Sequence, residues 1–148
     1  MKTSIARKIL MALSGFFLLF FLLQHLTINS LSLCSEETFN SVSHFFGYNP
    51  VIQYVLQPVL IFGVLFHLIM GLYLDMQNQK ARKKKYAKNN AAASSSWMSR
   101  NMKITGIMIL LFLGLHFYDF WVQEMNYKYI ASNPEDPTRY YHELQHKF

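Results

Sequence analysis

Three histidines lie inside long apolar segments of the sequence, at His25, His67 and His116. An ionisable side chain is unfavourable in hydrocarbon, so we expect a histidine at such a position to have a function. Its ring nitrogens suit two kinds of chemistry, metal ligation and proton transfer. The other histidines lie in polar segments, where we expect solvent around them: His44, His142 and His146.

The segments that carry these histidines predict membrane-spanning helices. Residues 9–33, 51–74 and 104–118 contain no Asp, Glu, Lys or Arg. About 20 apolar residues in a helix cross a hydrocarbon core about 30 Å thick, and none of the segments alternates apolar and polar residues as a strand would. The sequence therefore predicts an all-α membrane protein with transmembrane helices at about 9–33, 51–76 and 100–122.

The composition excludes several other classes of protein. Of the 148 residues, 16% are aromatic and only 15% are charged, whereas disordered chains are poor in aromatic residues and rich in charge. The single cysteine, Cys34, excludes a disulfide scaffold and a cysteine-based zinc or iron–sulfur site within this chain. A chain of this length also cannot surround three all-round apolar helices with a polar shell of its own.

The basic residues indicate how the helices are oriented. Eleven of the 14 Lys and Arg residues lie before the first apolar segment or between the second and the third. Because cytoplasmic loops are enriched in Lys and Arg, we expect the N-terminus and a basic loop at 77–99 in the cytoplasm. The loop 34–50 and the tail 123–148 are then outside. We interpret the net charge of +6 as a topology signal and a contact with anionic lipid, not as a nucleic-acid-binding surface.

Orientation also sets the expected depth of each histidine. His25 lies about 16 residues, or about 24 Å, along an outward-going helix, and His116 lies about 12 to 16 residues along another. We therefore expect these two imidazoles at similar heights in the outer half of the membrane, and His67 in the inner half. Two imidazoles at one depth on different helices can hold a six-coordinate haem iron. Two alternatives remain open: a proton relay in a transporter without haem, and a structural anchor that needs no histidine.

Two glycines flank His67 at a spacing of four residues, Gly63 and Gly71. One face of the second helix is therefore bare around the imidazole, and a flat macrocycle could lie against it. The alternative is that both glycines allow a neighbouring helix to approach closely.

Four stretches of the sequence carry a more specific pattern: SGFFLLFFLLQH, FNSVSHFFGYNPVIQ, HLIMGLYLDMQNQKARKKKY and WMSRNMKITGIMILLFLGLHFYDFW. The last contains Arg100-Asn101-Met102 followed by His116, Asp119, Phe120 and Trp121. Over essentially the whole chain, this pattern resembles the dihaem cytochrome b membrane subunit of succinate dehydrogenase and fumarate reductase. The resemblance is to the single-subunit type with five membrane helices, in a Bacteroidetes-like version.

The resemblance implies a set of cofactor ligands. In that family four histidines bind two haems b, which would place His25 and His116 on the outer-side haem, distal to the cytoplasmic subunits. It would make His67 one ligand of the inner-side haem. The fourth ligand belongs to a later helix that does not occur before Phe148, so we expect three helices of a five-helix haem-binding bundle, in a chain that is incomplete at its C-terminus.

The resemblance also implies a function. The subunit would anchor a flavoprotein and an iron–sulfur subunit to the cytoplasmic face of a bacterial inner membrane. It would carry electrons through the haems between the iron–sulfur subunit and a membrane quinone, with menaquinone as the expected one. The chain itself shows no nucleophile or acid–base constellation for dicarboxylate chemistry.

Overall fold

The computed structural model describes residues 4–81 and 96–147, and all of its regular elements are helices. The α-helices are α1 (Ser4–Ser30), α2 (Glu36–Tyr48), α3 (Gln57–Ala81), α4 (Trp97–His116), α5 (Gln123–Met125) and α6 (Arg139–Lys147). A 3-10 turn follows α1 at Leu31–Leu33, and π-helical segments lie at Ile52–Leu56, Phe117–Val122 and Asn126–Ile130. Most of the basic loop predicted at 77–99 lies outside the described residues.

Within the described residues, three continuous helical stretches are long and apolar enough to cross a membrane: Ile5–Leu33, Ile52–Lys80 and Asn101–Ile130. Their mean hydropathies are 2.1, 2.2 and 1.6, and no residue in the most apolar part of each stretch is buried inside the protein. Apolar surface on this scale is unfavourable in water and favourable in lipid. The prediction of an all-α membrane protein with three such helices is confirmed, and the chain is a multi-pass membrane protein.

The helices extend beyond the apolar segments that predicted them. Helix α1 begins at Ser4, and the third stretch continues to Ile130. Hydropathy marks the part of a helix that lies in hydrocarbon, whereas backbone hydrogen bonds continue into the polar flanks. The chain divides into two compact units. One contains α1, α2, α3 and α6, and the other contains α4 and α5.

Helices α1 and α3 pack closely and run antiparallel. Contacts that come later along α3 are made with residues that come earlier along α1. A Cβ atom added to Gly63 would lie 2.7 Å from Cε1 of Phe17, and one added to Gly71 would lie 3.3 Å from Cε of Met11. Small residues at these positions let the helix backbones approach, as they do in other membrane helix pairs. Both glycines therefore allow α1 to approach α3 closely, which is the alternative to a haem surface. The role of both glycines in haem packing stays a prediction.

A polar cluster joins α1 and α3 near the start of α1. Nη1 of Arg7 donates to Oε1 of Gln77 over 2.7 Å, and Nε2 of Gln77 donates to the hydroxyl of Tyr73 over 2.7 Å. The guanidinium of Arg7 also lies 5.8 Å from the centroid of the Tyr73 ring. Arg and Tyr suit the membrane–water interface, where the apolar part of each side chain meets lipid and its polar end meets water.

The segment expected as the outer loop contains helix α2. Its N-cap is Ser35, whose side chain accepts a hydrogen bond from the backbone N–H of Thr38 over 3.2 Å. Glu36 and Glu37 occupy the first turn, where negative charge interacts favourably with the helix dipole. These local signals explain why a helix starts here.

Helix α6 packs on α2 within the same unit. Phe39 and Asn40 are the most buried residues of α2, each with 6% of its surface exposed. The backbone N–H of Tyr141 donates to Oδ1 of Asn40 over 2.8 Å, and the Tyr141 ring meets Phe39 edge-on at 6.4 Å. Nε2 of His142 lies 3.5 Å from Oε1 of Glu36. These contacts join two segments that are about a hundred residues apart in the sequence.

Two side-chain interactions support α6 and the turn before it. Nη1 of Arg139 donates to both carboxylate oxygens of Glu143 at 2.9 Å, and its guanidinium lies 4.4 Å from the ring centroid of Tyr140. Before the helix, the backbone N–H of Thr138 donates to Oδ1 of Asp136 over 2.8 Å, as in an Asx turn. The hydrogen bond from the Thr138 backbone, and to a smaller extent the one from its hydroxyl, lower the pKa of Asp136 below its usual value.

We expect Gly63→Ala to weaken the contact between α1 and α3, because the new methyl group would force the Phe17 ring to move. Gly106→Ala is the matched control, since a Cβ at Gly106 meets nothing within 4 Å. Both changes gain the same helix propensity, so the difference between them reports packing. The free energy of unfolding in detergent should be about 1–2 kcal/mol lower for Gly63→Ala than for Gly106→Ala. Equal values would contradict close packing at Gly63.

A second prediction concerns the contact between α2 and α6. Asn40→Ala removes the acceptor of the Tyr141 N–H, which should destabilise α6 by about 1–2 kcal/mol. Hydrogen exchange of the α6 amides, followed by mass spectrometry, should then be faster than in the unchanged chain. Asn40→Asp keeps an oxygen acceptor at the same place and should preserve most of the protection. Unchanged exchange in Asn40→Ala would show that the contact does not hold α6.

Candidate functional site

His67 lies in the middle of α3, half-buried against α1. Its Nδ1 is 2.9 Å from the hydroxyl oxygen of Ser14. The next residue of α1, Gly15, leaves room for the ring, because a Cβ there would lie only 3.2 Å from Cε1 of His67. Nδ1 and the neighbouring Cε1 are therefore the ring atoms that face α1, and Nε2 is bonded to the other side of Cε1.

His25 lies five residues before the end of α1 and is also half-buried. Nδ2 of Asn29 donates to the backbone carbonyl of His25 over 2.8 Å and lies 3.2 Å from its Nδ1. The Phe21 ring lies one turn earlier, with its centroid 5.6 Å from that of the imidazole. The same Nδ2 atom is 3.5 Å from Nε2, so the amide lies beside the ring edge that carries both nitrogens.

His116 is the last residue of α4 and belongs to the other unit. Its ring lies between two phenylalanines of the same helix face, with centroids 5.8 Å from Phe112 and 5.0 Å from Phe120. The helix changes from α to π geometry immediately afterwards, at Phe117. Single π-helical turns often occur at functional sites, because they change the direction in which side chains project.

The two histidines of the first unit lie at different levels along the helix pair. The Cβ position of Gly15 is adjacent to the His67 ring, and His25 is ten residues further along α1. Ten residues of α-helix span about 15 Å. The two imidazoles thus lie at separate levels of the helix pair, and the number of haems stays a prediction. The pairing of His25 with His116 joins the two units and stays a prediction.

Three further findings concern the rest of the expected site. Within residues 4–81 and 96–147, no three His, Cys, Asp or Glu side chains converge as a metal-ion site. His44, which we expected to be solvated, is half-buried and stacks on Tyr48 with centroids 4.9 Å apart. Ser14 was not predicted from the sequence. A hydroxyl among the apolar residues of a membrane helix is a signal from which it could have been predicted.

A shallow cleft of about 520 Å³ lies beside α2 in the first unit. The α2 side of this cleft includes Glu36 and His44, and Pro137 and Thr138 form the other side. The cleft is open to the surroundings, and the sequence analysis did not predict it.

Comparison with known proteins identifies the family. The profile of the succinate dehydrogenase/fumarate reductase transmembrane subunit matches residues 2–94. The succinate dehydrogenase cytochrome b558 subunit of Bacillus subtilis is 32% identical over 103 residues, which cover 67% of this chain and 46% of that protein. The chain thus spans less than half the length of this relative. No solved structure matches the chain. The chain belongs to the family of succinate dehydrogenase and fumarate reductase transmembrane subunits.

Proposed function

We propose that this chain is the haem-binding part of the membrane anchor of a succinate:quinone oxidoreductase. In this role it carries electrons between an iron–sulfur subunit and a quinone in the membrane. One observation carries the proposal: each of the three membrane-spanning helices of a chain in this family holds one half-buried imidazole. The name of the Bacillus subtilis relative, a cytochrome b558 subunit, agrees with haem binding.

The donor set fits haem b. Neutral imidazole is a common axial ligand of haem iron, and ligands on both faces leave no open position for oxygen. His25 and His116 are proposed to hold the outer-side haem. His67 is proposed as one ligand of the inner-side haem. When bound, the haems supply one-electron transfer.

The residues around the histidines have roles of their own. Phe21 lies beside His25, and Phe112 and Phe120 flank His116, so aromatic rings keep water from the imidazoles. A water-excluding surrounding lowers the local dielectric and contributes to the reduction potential of a haem.

The proposed partners follow from the family and from the charge pattern. A flavoprotein and the iron–sulfur subunit would dock on the cytoplasmic face of a bacterial inner membrane, the side of the N-terminus and of the basic loop at 77–99. Lys and Arg in that loop could bind the soluble subunits or anionic lipid. Menaquinone is the proposed quinone, and it would react near the outer-side haem.

The first test of this function is optical. The purified membrane complex should show a reduced-minus-oxidised spectrum with a b-type α-band that succinate or a quinol can generate. A complex with succinate–quinone activity and a blank spectrum would overturn the haem proposal. A blank spectrum together with proton transport would favour the transporter alternative.

The second test addresses ligand pairing. His25→Ala and His116→Ala should each remove the same haem, about half of the haem b in the complex, because an axial ligand is lost in both. A redox titration of the α-band distinguishes the haem that remains from the one that is lost. His142→Ala is the control, since its side chain is 71% exposed outside the spans. Loss of different haems in the two variants would refute the pairing.

A further inference from the structure

Ser14 makes two hydrogen-bond contacts, one within its own helix and one to the neighbouring helix. Its Oγ donates to the backbone carbonyl of Met11 over 2.8 Å and lies 2.9 Å from Nδ1 of His67. Serine and threonine hydroxyls in membrane helices often bond to a carbonyl three or four residues earlier. The contact with a histidine of another helix is the unusual part.

The number of protons on the serine hydroxyl decides the direction of the second bond. A hydroxyl has one proton and two acceptor lone pairs. Because the proton of Ser14 goes to the Met11 carbonyl, Oγ can only accept from His67. Nδ1 of His67 must then carry the proton, and the neutral ring has its lone pair on Nε2.

The same contact limits how the ring can turn. Gly15 lies directly beside Cε1 of His67, where even a methyl group would be 3.2 Å away. The ring therefore has Ser14 at its Nδ1 atom and the backbone of α1 at its Cε1 atom. A rotation about the Cβ–Cγ bond would break the hydrogen bond to Ser14.

We propose that Ser14 is a positioning residue for His67, which holds the imidazole in the tautomer and orientation in which Nε2 can bind haem iron. The inference rests on the proposed function and deepens it. An acceptor at the non-ligating nitrogen fixes the tautomer of a metal-bound histidine and makes it a stronger donor. A stronger donor stabilises the ferric state, so Ser14 lowers the midpoint potential of the inner-side haem.

The chain offers a matched control for the loss of a hydroxyl. Oγ of Ser30 donates to the carbonyl of Leu26 over 2.8 Å, as Ser14 does to Met11. Ser30 lies on the same helix, and its described contact is with the backbone rather than with an imidazole. Ser14→Thr is the conservative variant, because a threonine hydroxyl in a helix can also bond to the i−3 or i−4 carbonyl.

The test in the purified membrane complex is a redox titration combined with electron paramagnetic resonance of the ferric haems. The inner-side haem is identified as the one that His67→Ala removes. Ser14→Ala should raise its midpoint potential and change its largest g value, and should leave the other haem unchanged. Ser14→Thr and Ser30→Ala should resemble the unchanged complex. Loss of the inner-side haem in Ser14→Ala alone would also support positioning.

Two results would overturn the proposal. One is an unchanged potential and g value in Ser14→Ala. The other is an equal effect, including loss of haem, in Ser30→Ala or in Ser14→Thr, because the hydroxyl beside His67 would then not be the cause.

A haem-free measurement separates this inference from the proposed function. Nitrogen NMR of the histidine-labelled, haem-free chain in micelles should show neutral His67 protonated on Nδ1, and Ser14→Ala should shift the population toward protonation on Nε2. A chain that binds no haem but shows this shift would retain the Ser14 contact and lose the proposed function. If the complex binds haem but His67 of the haem-free chain is protonated on Nε2, the Ser14 inference alone is lost.

Discussion

Hydrocarbon provides no hydrogen-bond partner, and this constraint governs how polar groups are placed in the spans. Backbone groups are satisfied within helices, which is why the described part of the chain crosses the membrane as helices. The hydroxyls of Ser14, Thr27 and Ser30 donate to carbonyls of their own helix, at 2.8–2.9 Å. Asn29 does the same with the carbonyl of His25. A histidine that binds a metal almost always has such a partner at its other ring nitrogen.

The packing of α1 on α3 combines two requirements that usually conflict. Membrane helices approach most closely where both present small residues, yet an imidazole is large and polar. Here Gly15 leaves the space that the His67 ring occupies, while Gly63 leaves the space for Phe17. Large side chains of one helix thus lie over glycines of the other, so the pair can be close and still carry a ligand. A site built on two packed helices is held more firmly than one on a loop.

The sequence predicted the parts of this structure that depend on local composition. Apolar runs of about 20 residues were enough to locate three spans, and the lone histidines in them were identified as candidate ligands. Contacts between distant segments could not be predicted. Asn40 bonds to Tyr141, 101 residues later, and Ser14 meets His67 only because of the register of α1 against α3. No local pattern encodes that register. The start of α2 at Ser35 was accessible in principle, since its capping signals are local.

The π-helical segment after His116 changes the direction in which side chains project from the end of the third span. In π geometry hydrogen bonds run from i to i+5, so each residue advances through a smaller angle than in an α-helix. A helical wheel extrapolated from α4 therefore assigns Asp119 and Trp121 to the wrong azimuth. The angular phase of the third span changes directly after the proposed ligand, and whatever contacts the span beyond Phe117 meets a face that the upstream periodicity does not specify.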